Sequence, residues 1–197
     1  MNQVEALHRL RLTQSWRFGQ PVADEANVWL GAIGTDMAIA GNPKRSSTIE
    51  ALACPDTTLC RTNAGTIDAL LAAHEAGVRM HLVGGGKEML ALAQGAERLQ
   101  HGKPPGHIEL AAFSSWEQVV EYAEHDPAGS DLAVAVRMIE RYGSTGVIGA
   151  IEGTVPERTA DLVVSTAHKA KGLEWGKVRI AGDFRLSAAT SMGPLDG

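Results

Sequence analysis

The chain has 197 residues, 44% of them apolar, 21% charged and 5% aromatic, a composition that fits one sizeable folded domain, with or without a smaller insertion, and excludes a disordered chain. Its formal charge of −5 excludes wholesale coating of nucleic acid but allows a local basic groove, because steering depends on where charge sits. No apolar run approaches the ~20 residues that span a bilayer. The opening MNQVEALHRLRLTQSW lacks the regions of a signal peptide, and Cys54 and Cys60 form neither a C-x-x-C pair nor a disulfide framework. A cytoplasmic, reducing location without a membrane partner is the expectation.

In chain order, Pro21 to Ile33 carries Val22, Ala26, Trp29, Leu30 and Ile33 at helical spacing behind a helix-compatible proline. Gly41 to Ser47 (GNPKRSS) is a polar loop, and Thr57 to Arg61 (TTLCR) reads as a short buried strand. Ala64 to Ala76 predicts a helix closed by Gly77, and Arg79 to Val83 returns as a strand, so the three form a strand–helix–strand unit with a parallel sheet. Lys87 to Gln100 predicts a helix stopped by His101-Gly102, followed by amphipathic helices over Trp116 to Glu124 and Leu132 to Tyr142. Strands resume at Leu162 to Ser165 and Val178 to Ala181. The fold class expected is α/β, a parallel sheet interrupted by a small helical insertion at roughly 87–156.

The stretch Val163 to Val178, VVSTAHKAKGLEWGKV, carries the most chemistry. A β-branched run ends in Ser165-Thr166 and turns at once into a basic, glycine-containing segment with His168, Lys169, Lys171 and Gly172. Backbone N–H groups and cations are thereby presented together, which suits phosphates or a nucleic-acid backbone. In order, the stretch resembles motif V of the superfamily 1A (UvrD/Rep-like) DNA helicases, T-x-H-x-x-K-G-L-E-[FW]. Thr166, His168, Lys171, Gly172, Leu173, Glu174 and Trp175 all fall in register.

Thr13-Gln14-Ser15-Trp16-Arg17-Phe18-Gly19, entered from Leu12, is similar to motif IV of the same family, and Leu59-Cys60-Arg61-Thr62-Asn63 to its L-x-R-x-N segment. Within the superfamily the pattern is closer to the F-box DNA helicase type and its bacterial relatives, on Thr13 to Gly19, His81 to Gly85, and Thr166 to Phe184 with its closing Gly-Asp-Phe. The short span from Asn63 to Thr166 agrees, since UvrD and Rep hold a much larger 2B subdomain there.

The resemblance implies a RecA-like (P-loop NTPase-type) domain 2A formed by residues 1–86 and 157–197, with 87–156 as a reduced 2B-like insertion. It places Arg17 on the γ-phosphate of ATP as the catalytic cation, Trp16 near the adenine, Gly172 in the phosphate-facing turn and Glu174 on the ribose. It places Arg61, Asn63, Thr166, His168 and Lys171 on single-stranded or partly duplex DNA. By position alone Asn63 is also a natural N-cap for the helix that follows, and the two roles are compatible.

Gly84-Gly85-Gly86-Lys87-Glu88 fails the G-x-x-x-x-G-K-[ST] pattern and reads as a strand-to-helix turn. His74-Glu75 with His81 is not H-E-x-x-H, and His101 and His107 lack partners at metal spacing, so no metal site is expected. The chain contains no Walker A sequence and no D-E-x-x strand. The expectation is therefore part of a larger ATP-dependent helicase or translocase, 3′ to 5′ by resemblance, acting in the cytoplasm and at the nucleoid. ATP with Mg²⁺ would be held mainly by an N-terminal helicase domain of the same protein. On that reading residues 1–11 correspond to the stretch after motif III, and Gly197 falls before motif VI. Two alternatives stay open: a non-catalytic helicase-like module that binds nucleic acid or a partner protein, and a small-molecule α/β enzyme using the Gly84–Lys87 turn.

Overall fold

The computed structural model describes residues 13–126 and 130–184, apart from the side chains of 130 and 131. The residues preceding motif IV, Leu12 included, and those after Phe184 lie outside the described residues. The described chain forms two compact units, 13–51 and 52–184.

In the first unit, helix α1 (Gln20–Ala32) carries Pro21 in its opening turn, where the missing N–H has no helical partner to lose. The prediction of 21–33 is displaced by one residue. The returning loop is tied to α1 by Asn27, whose amide donates to the Ile39 carbonyl at 2.9 Å and whose oxygen accepts from the Ile39 N–H at 2.8 Å. Gln14 forms an isolated parallel bridge with Ala40, and Trp16 and Arg17 lie between that bridge and α1. Gly41 is demanded by close approach, because a Cβ there would stand 2.3 Å from the Gly19–Gln20 backbone.

The second unit holds the sheet. Strands β1 (Thr57–Cys60), β2 (Met80–Leu82), β3 (Leu162–Thr166) and β4 (Val178–Ile180) are all parallel, in the order β2-β3-β1-β4. Register pairs Thr57 with Val163 and Cys60 with Thr166, so the β1 and β3 ends finish side by side. Between them in sequence come α2 (Asn63–Glu75), α3 (Lys87–Gln100), α4 (Trp116–His125), α5 (Ser130–Tyr142) and α6 (Ser144–Glu152). The six helices and parallel sheet among the described residues are α/β, as expected, and consistent with a RecA-like fold.

One apolar core runs from sheet to helices: Ile67 and Leu70 of α2, Leu82 of β2, Ala96 and Leu99 of α3, Val119 of α4, Ile139 of α5, Ile151 of α6 and Val164 of β3. Each fully buried aliphatic side chain of this kind contributes roughly 1.5–3 kcal/mol of transfer free energy. Inside that core Trp116 remains satisfied, because its indole N–H donates to Glu140 at 2.6 Å. The strand-to-helix turn predicted at Gly84–Gly86 is present, with three successive positive φ values of 79°, 68° and 63° that delivers the chain from β2 into α3. Side chains would strain at each of these positions.

Candidate nucleic-acid interface

Because all four strands are parallel, their carboxyl ends open on one edge, and ligands of open α/β sheets bind outside that edge. From β1 the chain leaves as Arg61-Thr62-Asn63, from β2 as the triple glycine, from β3 as Thr166 to Gly172, and from β4 as Ala181 to Asp183. The β1 and β3 exits are joined by a bond from the Ala167 N–H to the Cys60 carbonyl at 2.9 Å. Arg61, Asn63, Thr166, His168 and Lys171, predicted from separated motifs, therefore gather on one edge. Of these, Thr166 is buried and the other four are exposed.

Thr166 shapes the motif V turn from within. Its carbonyl accepts from the Ala170 N–H at 2.9 Å and its hydroxyl from the Lys169 N–H at 3.4 Å. This folds 167–171 back over the strand end and leaves His168, Lys169 and Lys171 exposed. Gly172 has φ +93°, a conformation that a side chain would strain, and the chain then leaves through Leu173 and Glu174. The Lys169 side chain lies along the glycine turn, with Cδ and Nζ each 3.2 Å from where a Cβ on Gly84 would stand. At the far end of the segment, the Lys177 N–H donates to the Asp56 carboxylate at 2.9 Å, which fixes the approach to β4.

The start of α2 corrects one expectation. Thr62, not Asn63, is the N-cap: its backbone is extended (φ −118°, ψ 159°) and its hydroxyl accepts from the Gly65 N–H at 2.9 Å. Asn63 is the first helical residue, and its exposed side chain is not needed as the cap.

Asp183, noted in the sequence only as part of the closing Gly-Asp-Phe, has a role that sequence reasoning missed. Its carboxylate accepts from the N–H groups of Arg61 (3.0 Å) and Thr62 (2.9 Å) and from the Thr62 hydroxyl (2.9 Å). Partial burial pushes this carboxyl up, and the Arg61 and Thr62 hydrogen bonds outweigh that and hold it below the usual carboxylate range. Beside it, burial pushes the Cys60 thiol up to about 12, with Asp183 and Asp68 adding to the rise. That thiol stays protonated and packs as a small apolar group.

Trp16 and Arg17 belong to the first unit. Trp16 is 68% exposed. Their backbone is held by the 41–47 loop: the Asn42 amide donates to the Trp16 carbonyl at 3.3 Å, and the Arg45 guanidinium donates to the Arg17 carbonyl at 2.9 Å. Glu174 lies in the second unit, after the Gly172 turn.

An apolar groove of about 430 Å³ opens at the opposite, amino edge of the sheet, lined by Cys54, Pro55, Ala72, Ala76, Leu162 and Arg179 among others, and none of the predicted site residues lines it. Among the described residues no group of three His, Cys, Asp or Glu side chains could hold a metal ion, and no helix is long and apolar enough to cross a membrane.

No family model matches the chain. No solved structure matches it either. Two curated proteins do. The chain is 28% identical, over 93% of its length, to F-box DNA helicase protein 1 of Schizosaccharomyces pombe, and 26% identical, over 92%, to F-box DNA helicase 1 of Gallus gallus. It spans 24% and 20% of those relatives' own lengths. Both findings support a superfamily 1 helicase-like chain, similar nearly end to end to a part of two larger proteins named as DNA helicases.

Proposed function

We propose that this chain serves as the second RecA-like part of an ATP-dependent DNA helicase or translocase, gripping single-stranded DNA and completing an ATP cleft whose other wall is an N-terminal helicase domain. The observation that carries this reading is the convergence of Arg61, Asn63, His168 and Lys171 on the carboxyl edge of one parallel sheet. Three of these residues are exposed hydrogen-bond donors or cations that match a phosphodiester backbone, and Asn63 adds an amide for sugar or phosphate. Such contacts position a strand without reading its sequence, so translocation is indifferent to base order.

ATP with Mg²⁺, held mainly by the other domain, supplies the free energy of the step. Arg17 stabilises charge that develops on the transferred phosphoryl group, Trp16 covers the base, and Glu174 holds the ribose. Motif V makes the chain mechanical. Glu174 and the pair Thr166 and His168 lie within one short segment, so a shift at the nucleotide end is delivered to the strand-binding end. The helices over 87–152 serve as a reduced insertion that shares its core with the sheet. The 3′ to 5′ polarity is carried over from the helicase resemblance.

Arg61→Ala tests the DNA side. Fluorescence anisotropy with labelled single-stranded oligonucleotides is expected to show affinity lowered about equally for all sequences, with the salt slope reduced by roughly 0.7, one phosphate contact on a single strand. A loss confined to some sequences, or an unchanged slope, counts against the assignment.

A further inference from the structure

We infer that Asp183 is a positioning residue: it fixes the Arg61-Thr62-Asn63 loop on the sheet edge so that Arg61 meets the nucleic-acid backbone. The inference rests on the reading of Arg61 as a DNA contact and adds the residue that sets its geometry. Asp183 comes 122 residues after Arg61 and closes the exit of β4, yet both its carboxylate oxygens are spent on the exit of β1. The Thr62 hydroxyl donates to Asp183 at 2.9 Å while accepting from the Gly65 N–H at 2.9 Å, so one hydroxyl joins the helix cap to the carboxylate. Gly65 is fitted to the same contact: a Cβ there would stand 2.3 Å from Asp183 Oδ2 and 2.9 Å from its Cγ. A side chain at that position would expel the carboxylate.

Two consequences follow. The amino end of α2 is already complemented by an internal anion, so a DNA phosphate is met by the side chains of Arg61 and its neighbours rather than by the helix end. The β4 exit, reached directly from motif V, is also bonded to the β1 exit, so the two halves of the strand-binding edge move as one piece.

Simple electrostatics and positioning predict opposite signs for Asp183→Asn. If the carboxylate acts only as a negative charge near bound DNA, its removal tightens binding. If it positions Arg61, the isosteric amide, which accepts with one oxygen instead of two, weakens it. The experiment titrates labelled oligo-deoxythymidine at low ionic strength with the chain and its Asp183→Asn, Gly65→Ala, Arg61→Ala and Asp183→Asn/Arg61→Ala variants, with thermal melts to confirm folding. Asp183→Asn and Gly65→Ala are expected to lose affinity about tenfold, the size of one charge-assisted hydrogen bond. The double variant is expected to bind no more weakly than Arg61→Ala alone. Unchanged or tighter binding by Asp183→Asn, or additive losses in the double variant, would overturn the inference. If Arg61→Ala itself loses nothing, the DNA reading fails instead. Amide hydrogen exchange over residues 61–66 then decides: faster exchange in Asp183→Asn upholds the positioning role, and unchanged exchange removes it.

Discussion

Replacing Arg17 by alanine in the longer helicase proposed here is expected to lower ATP turnover about 10²–10³-fold, the cost of removing one preorganised donor to transition-state charge. Affinity for single-stranded DNA should be unchanged, because on the proposed reading Arg17 acts on the nucleotide and Arg61 on the strand. The Arg17 N–H donates to the Ser15 hydroxyl at 3.2 Å and its carbonyl accepts from Arg45 at 2.9 Å, two backbone bonds that alanine retains. A loss of turnover without a loss of melting temperature therefore reads as chemistry. Arg17→Lys should recover little, since an ammonium lacks the planar fork that spans two phosphate oxygens. Steady-state ATPase rates beside DNA-binding isotherms check this. Parallel losses in both would remove the division of labour between Arg17 and Arg61.

Ile67→Ala is expected to be the most damaging substitution for stability, at about 2–5 kcal/mol. Ile67 is fully buried on α2, in the one core that includes Val164 of β3 and Ile151 of α6. Truncation leaves a cavity in the core shared by the sheet and the helices. For a chain of this length each kcal/mol lowers the melting temperature by roughly 2–4 °C. Ile108 supplies the matched control. It is 90% exposed, and Ile108→Ala should stay within about 0.5 kcal/mol of the parent. Equal melting temperatures for the two variants would show that α2 is not a load path between sheet and helices.

Much of this architecture was legible because its signals are local. Lys87–Gln100 is bracketed by Gly86 and by His101-Gly102, and the helix occupies that span. The strands at 57, 80, 162 and 178 stand out as short apolar or β-branched runs between turn residues. Helix α6 was not anticipated, because Gly146 and Gly149 lower its propensity; burial of Val147, Ala150 and Ile151 overrides that. The cap at Thr62 was misplaced by one residue, since Thr and Asn are both good caps and only backbone geometry separates them. Motif V, motif IV and the Arg61–Asn63 segment were visible as patterns of residue type. Asp183 was visible only within the closing Gly-Asp-Phe, and its role was not, because nothing near residue 183 announces a bond to residue 61. Pairings across that distance are created by topology, here by β4 lying next to β1.

The central claim is that the carboxyl edge of the sheet binds the DNA strand. Titrating the isotopically labelled chain with a single-stranded oligonucleotide and following its amide resonances tests this most directly. The account predicts shifts confined to residues 61–63 and 166–172, with the amino edge around Asp56, Arg79 and Asp161 silent. Shifts centred on that amino edge, or none at low ionic strength, would contradict it.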